Sequence, residues 1–290
     1  MLTTIFTATY KGEQFLPTLF ASLMRQTNKN FEWILVNDGS PDNTDDLVQE
    51  MQKEADFQLR YYKKANGGKT TAINLAIPLA MGELWFMVDH DDFLGDNAIE
   101  MINQYYPQIK DNEKLCGVTF LRHNHGGKPI GTQKNPDNII TDYCTYRTVY
   151  KIIGDRAEVV KTSHFRKYCP IPTFENENNC LDWYVWLMLA KEHDALFIAN
   201  KEPVYYCEYL PTGRSNVGIY HSSRGEMVCC NLLASMEQAS FCQKLNAYAR
   251  YWRHFLLARN IGFNHAYKDL SHKWGVIALP IAYIKHILCK

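Results

Sequence analysis

Charge of one sign is missing from this chain. Its 31 Lys and Arg balance 31 Asp and Glu, so the formal net charge is +0 and no global field argues for nucleic acid. CxxC pairs are missing too: the nine cysteines are scattered, so a zinc site is not expected and reduced thiols are. The stretch from Trp274 to Cys289 is mostly apolar, but Pro280 breaks it and Lys285 and His286 interrupt it, which leaves no span for a bilayer. Met1-Leu2-Thr3-Thr4 has no basic leader or cleavage signature, so no secretory signal is expected and the expected location is cytoplasmic. Internal repeats and low-complexity tracts are also missing. What remains is a globular composition, 46% hydrophobic and 21% charged over 290 residues, enough for one large domain or a domain with an appendage.

The stretch richest in chemistry is Leu84-Trp85-Phe86-Met87-Val88 followed by Asp89-His90-Asp91-Asp92. A run with two aromatics and Val fits a strand buried on both faces of a parallel sheet. Carboxylates at the carboxyl end of such a strand sit where open α/β sheets bind ligands. Three acids this close repel one another unless something positive joins them. Mg²⁺ or Mn²⁺ with a substrate diphosphate supplies that charge. The plainer alternative is an acidic turn that caps the helix starting near Gly95.

Upstream, Leu2 to Ala8, Phe31 to Val36 and Phe57 to Lys63 read as strands. Helical spacing runs from Phe15 to Gln26, from Asp42 to about Ala55, and from Gly68 to about Ala80. This βα alternation predicts a parallel sheet with helices on both faces. Right-handed crossovers then bring Thr9, Tyr10, Asp38, Asp89 and Asp91 to one edge. Gly68-Lys69-Thr70 is not a Walker loop, because the position five residues before Gly68 is Lys63. Glycines at a helix start, with Lys69 beside them, either approach a phosphate closely or simply open a solvated helix.

Further along, a helix is expected from Gly95 to Ile109 and a strand from Leu115 to Leu121. Residues 122–156 read as irregular, and His123 and His125 there are a second metal ligand or plain loop residues. A short strand follows at Ala157 to Lys161. Leu181-Asp182-Trp183 opens a buried helix, in which Asp182 either complements the helix dipole or serves as a general base. Pro203 to Glu208 reads as the last strand, and Tyr209 to Gly218 as loop material suited to a lid. After about Gly225 eight basic residues face only Glu226, Glu237 and Asp269, with Tyr248, Tyr251, Trp252 and Phe255 between them. A basic, aromatic, amphipathic segment fits a membrane interface through 244–290. The alternative is a helical appendage packed on the main domain or on a second subunit.

In this order the motifs resemble family 2 glycosyltransferases of the GT-A fold, over roughly residues 1–218. The resemblance is carried by Ala8-Thr9-Tyr10-Lys11, Val36 through Thr44, Asn66-Gly67-Gly68-Lys69, Gly82-Glu83-Leu84 and Asp89-His90-Asp91-Asp92. It implies a Rossmann-like, mostly parallel α/β sheet for the catalytic domain, drawn over residues 1–225, while the composition shift marks a helical segment over 226–290. It also implies inverting transfer from a nucleotide-sugar, with UDP-sugar as the expected donor. Thr9, Tyr10 and Asp38 then line the nucleoside pocket, with Asp38 on the base, and Lys69 lies near the diphosphate. Asp89 holds the ribose or a metal-bound water, Asp91 coordinates Mn²⁺ or Mg²⁺, and Asp182 falls at the base. Three departures stand out. Asn37 replaces a common aspartate, His90 fills the middle of the DxD, and Leu181 precedes Asp182 where an acid is common. The last leaves Glu175 or Glu177 as alternative bases. Tyr205 through Ser215 resembles enzymes that build bacterial surface polysaccharide on lipid-linked acceptors at the inner membrane face. Two other readings compete. A sugar-phosphate nucleotidyltransferase needs a glycine-rich basic loop that Ala8 to Gly12 lacks. A non-catalytic nucleotide-sugar-binding module is the second, and intact Asp38, Asp89, Asp91 and Asp182 argue against it. A homo-oligomer is compatible with all three.

Overall fold

The computed structural model describes residues 1–131, 138–175, 177, 182–208, 223–258 and 261–288. Strand β1 (Thr3–Thr9) and strand β2 (Phe31–Asn37) are buried almost throughout, as central strands covered on both faces must be. Between them α1 (Leu16–Met24) buries Leu16, Leu19, Phe20 and Leu23, one apolar stripe at helical spacing. Helix α2 (Thr44–Glu54) carries Asp45 and Asp46 in its first turn and Lys53 in its last, complementing the helix dipole. Then come β3 (Gln58–Lys63), α3 (Lys69–Ala76), a 3-10 turn at Ile77–Leu79, β4 (Leu84–Met87), β5 (Phe93–Leu94), α4 (Ala98–Ile109) and β6 (Leu115–His123).

The second half holds β7 (Ile139–Thr141), α5 (Tyr143–Thr148), β8 (Arg156–Lys161), α6 (Thr162–Lys167), α7 (Asp182–Glu192), β9 (Asp194–Phe197) and β10 (Tyr205–Tyr206). The order across the sheet is β3-β2-β1-β4-β8-β6-β10-β5, with β9 also on β6 and β7 on β9. Strand β1 runs parallel to β2 and β4, while β8 runs antiparallel to β4 and β6. Chain order therefore reverses on either side of β1, and the loops after β1 and β4 flank the crevice that such a switch point creates.

Successive strand residues point to opposite faces, so each central strand feeds two cores. Ile5, Trp33 and Phe86 pack in one cluster, while Phe6, Ile34 and Trp85 pack in the other, where Phe6 stacks on Trp85 at 4.9 Å. Gly117 on β6 sits where a Cβ would come within 2.2 Å of the Val159 carbonyl oxygen on β8, so this crossing admits no side chain.

Four helices close the chain: α8 (Ser223–Ser235), α9 (Phe241–Leu257), α10 (Phe263–Asp269) and α11 (Leu279–Leu288), the last preceded by a 3-10 turn at Lys273–Ala278. They gather around a third cluster that includes Tyr248, Tyr251, Trp252, Ala278 and Ala282. Helix α8 belongs to two cores, giving Cys229 to the sheet-side cluster and Met227 and Cys230 to the helical one.

Several elements differ from the sequence reading. Residues 122–156 are not merely irregular, since β7 and α5 lie there, α5 capped by the Asp142 carboxylate. Strands β5 and β9 and helix α6 were not expected, and the strand expected over Pro203 to Glu208 contracts to two residues. These pieces are two to six residues long and show no period, so only pairing with distant partners defines them. The lid expected over Tyr209 to Gly218 lies outside the described residues.

One buried group makes stability depend on pH. Burial first, and then the charges of Arg250 and Arg253, hold the His254 imidazole down at about 4. An unfolded chain takes up this proton below about pH 6.5 while the folded chain refuses it, so stability falls as pH drops toward the folded value. Denaturant titrations should lose about 2 kcal/mol between about pH 7 and about pH 5 from this group. His254→Leu should remove that component, and an identical acid loss in the variant would rule it out.

Candidate active site

The loops after β1 and β2 are joined to each other. The Asp38 amide donates to the Thr9 carbonyl at 2.8 Å, the Lys11 amide to Ser40 Oγ at 3.0 Å, and the Gly12 amide to Thr44 Oγ1 at 3.0 Å. Lys11 takes a left-handed φ of 56°, which lets the chain turn back into α1. Thr9 is buried, and its hydroxyl lies 2.0 Å from where a Cβ on Gly12 would stand, so only glycine fits above it. Tyr10 is exposed at the rim.

Asp38 is buried, and its carboxylate is surrounded by donors. Oδ1 accepts from Lys64 Nζ and from the Gly67 amide at 3.0 Å; Oδ2 accepts from the Gly68 amide at 2.7 Å and from Asn66 Nδ2 at 3.3 Å. One carboxylate thus shapes the whole Asn66-Gly67-Gly68 turn that delivers Lys69. Asn37 acts beside it. Its Nδ2 donates to Asp45 Oδ1 at 3.0 Å and to the Tyr61 hydroxyl at 2.9 Å, and its Oδ1 accepts from the Ser40 amide at 2.8 Å. An ionised aspartate cannot donate, which gives the departure at position 37 a local reason.

The acid loop follows β4. The Val88 amide still pairs with the Phe6 carbonyl at 2.9 Å, and the chain then leaves the sheet. Lys69, first residue of α3, forms an ion pair with Asp89. Burial alone would raise the Asp89 carboxyl, but Lys69 and then Arg122 hold it down at about 2. Asp91 is exposed at the tip, and the His90 ring stacks on Phe15 with centroids 5.2 Å apart. Asp92 turns inward. Burial first, and then the neighbouring Asp89 charge, push its carboxyl up to about 8.

A single phenol holds both ends of this loop. The Tyr205 hydroxyl accepts from the Asp89 amide at 3.0 Å and donates to Asp92 Oδ2 at 2.7 Å. The Arg122 guanidinium lies over the Tyr205 ring, 4.4 Å from its centroid, and 3.9 Å from Asp92 Oδ2. Sequence reading did not single out Tyr205 or Arg122 for the site, and it counted Asp92 among the three acids without marking it as the buried one. Tyr205 and Arg122 come from β10 and β6, 30 or more residues away from the acids, and no local spacing could have marked them.

The donor set suits a shared cation site. Asp91 and the partly exposed Asp89 offer hard oxygens, and Mg²⁺ and Mn²⁺ commonly take one or two carboxylates together with substrate phosphates. Among the described residues no group of three or more His, Cys, Asp and Glu side chains could by itself cage an ion. His123 ends β6 with its ring buried, and His125 rests against Phe93 at 5.0 Å. Asp182 is the first residue of α7, and its side chain lies outside the described residues, as does Leu181. Glu175 is exposed. Glu177 is occupied: its two carboxylate oxygens accept from the Arg224 amide at 2.6 Å and the Gly225 amide at 3.0 Å, capping α8.

The family model described as glycosyl transferase family 2 matches residues 4–170, which include β1 through β8 and the whole acid loop. The chain belongs to glycosyl transferase family 2. Among its relatives, the uncharacterized glycosyltransferase EpsJ of Bacillus subtilis (strain 168) is 33% identical over 190 residues, 66% of this chain and 48% of EpsJ. The minor teichoic acid biosynthesis protein GgaB of the same organism is 27% identical over 150 residues, 47% of this chain and 17% of GgaB. This chain thus spans about half or less of the length of these two relatives. S. aureus TarS 1-349, solved in complex with UDP, superposes with a TM-score of 0.68 at 17% identity, covering 99% of this chain and 88% of that one. The Pyrobaculum calidifontis mannosyltransferase PcManGT, solved with GDP-Man and Mn²⁺, superposes at 0.52 with 14% identity, covering 99% and 75%. These two likenesses establish the GT-A fold.

Removing the phenol's hydroxyl tests how the family 2 acid loop is held. Tyr205→Phe should cost about 1–3 kcal/mol in chemical denaturation, because the Asp92 carboxyl stays buried and loses its donor. Asp92→Asn keeps an oxygen acceptor for the hydroxyl and should cost less. Equal losses in the two variants would show that the hydrogen bond is not what holds the loop.

Proposed function

We propose that this chain transfers a sugar from a UDP-sugar, with inversion, to a hydroxyl of a saccharide or lipid-linked saccharide during assembly of a surface polysaccharide. One observation carries the reading. At the switch point of the sheet, an acid loop with Asp91 exposed faces Lys69 at the start of α3, and the Asp38 carboxylate shapes the turn that places this lysine. Cationic and hard-oxygen groups thereby share one edge, which suits a nucleoside diphosphate. The choice of UDP is supported by TarS, solved with UDP and with UDP-GlcNAc. The polysaccharide setting is supported by the name of GgaB.

In this reading Thr9, Tyr10 and Asp38 line the nucleoside pocket, and Lys69 moves from Asp89 onto a phosphate oxygen as the donor arrives. Asp91, with Asp89, would hold Mn²⁺ or Mg²⁺, which supplies positive charge to the departing diphosphate. Asp182 is the base, and it takes the acceptor hydroxyl proton as that oxygen attacks the anomeric carbon. Attack in line with the leaving group inverts the centre, so no second carboxylate nucleophile is required. The occupation of Glu177 as a helix cap favours Asp182 in this role.

Calorimetry of UDP binding tests the donor site. Wild-type chain should bind UDP more tightly with Mn²⁺, and Asp91→Ala should lose roughly tenfold or more of that gain, the scale on which metal-site groups act. Absence of UDP binding with and without the metal would overturn the uridine assignment. Asp182→Asn should bind UDP like wild type while its turnover falls roughly 10²–10⁴-fold, the usual worth of a positioned base. Undiminished turnover would remove Asp182 from the mechanism.

A further inference from the structure

The 3-10 turn and helix α11 bury small residues: Ala278 of the turn and Ala282 of the helix are fully buried in the helical cluster around Tyr248 and Trp252, with Leu279 packed partly against it. Larger residues of both face outward: Ile277 in the turn is 55% exposed, and in the helix Ile284 is 58% and Tyr283 56%, with Ile281 beside them. Ile277, Ile281 and Ile284 recur at helical spacing and form one stripe. The stripe continues upstream. Trp274 and Ile277 stand three residues apart in the 3-10 turn, where such side chains eclipse, and Trp274 stacks on exposed Phe241 at 5.2 Å.

Basic residues flank this strip along the chain. Lys244 lies one turn beyond Phe241, Lys273 directly precedes Trp274, and Lys285 follows Ile284. Residues 238–268 and 270–290 contain no Asp or Glu at all. Two copies meeting through this face would oppose lysine to lysine, a repulsive arrangement. An anionic lipid surface complements it instead, since lipid accepts the isoleucines and its head groups attract the lysines. Among the described residues no helix is long and apolar enough to cross a membrane, and the ten residues of α11 reach only about 15 Å, half of a hydrocarbon core.

We propose that the Phe241–Trp274–Ile277–Ile281–Ile284 strip docks the chain in the interfacial plane of a bilayer that contains anionic lipid. The helix lies along the surface, with the isoleucines among the acyl-chain ends and Lys244 and Lys285 at the phosphates. This attachment goes beyond the transfer reaction and does not depend on it.

Vesicle flotation of the full chain tests it, using phosphatidylcholine alone and phosphatidylcholine mixed with phosphatidylglycerol. Wild type should partition onto the anionic vesicles roughly thirtyfold more than onto the neutral ones, as two lysines near such a surface imply. Raising salt from about 0.1 M to about 0.5 M should release most of it. Ile281→Glu with Ile284→Glu should abolish flotation, and both sites are solvent-exposed, so folding is checked by an unchanged melting temperature. UDP calorimetry on both chains keeps failure of the donor reading separate from failure of this one. No flotation of wild type on either vesicle, or flotation that survives the double substitution, would overturn the proposal. So would a wild-type dimer in light scattering that the double substitution dissociates, because the strip would then be an interface between copies.

Discussion

Mutual repulsion among three carboxylates within four residues is the constraint around which this site is built. Asp89, Asp91 and Asp92 leave the sheet together, and each meets a different fate. Lys69 neutralises Asp89, the protein interior takes Asp92, and Asp91 is left facing solvent. Separating the three environments turns an unstable acidic turn into one with a single outward acid. Tyr205 makes the separation geometric, because one hydroxyl bonds the backbone before the turn and the carboxyl after it. Arg122 lies over that ring and adds positive charge from below.

The same economy appears in the loop after β2. Asp38 spends its oxygens on a lysine, two glycine amides and an asparagine, so the turn at 66–68 is held before any ligand arrives. Gly68 at φ 85° allows the chain to enter α3 from that turn, and α3 then delivers Lys69 to the acid loop. A carboxylate after β2 is thereby linked to one after β4 through a single turn of chain. Preorganisation of this kind lowers what binding must spend on ordering the loop. His90 adds a third link by resting on Phe15 at the entry to α1.

The C-terminal helices show the opposite distribution. The central strands of the sheet bury Ile5, Trp33, Phe86 and their neighbours between helices, whereas α11 buries Ala282 and exposes Ile281 and Ile284. The basic residues that flank it in sequence favour an anionic surface as the partner of that apolar strip.

Much of this was legible in the residues themselves. Alternation of apolar runs with helical spacing predicted the parallel strands β1 to β4, since long periodic elements carry their own signal, and the handedness of the crossovers placed the ends of β1, β2 and β4 along one edge; their order β3-β2-β1-β4 came from the fold. The motif order pointed to family 2, which the match over residues 4–170 establishes. The basic bias after Gly225 was equally plain in composition. Tertiary structure alone decided the rest. β5, β9 and β10 are too short to show a period and exist because neighbouring strands satisfy their backbones. Which of three adjacent acids is paired, buried or exposed depends on Lys69, Arg122 and Tyr205, residues brought from elsewhere in the chain. Spacing along a sequence records local geometry, whereas charge compensation and burial depend on distance in space, and only the folded chain sets that distance.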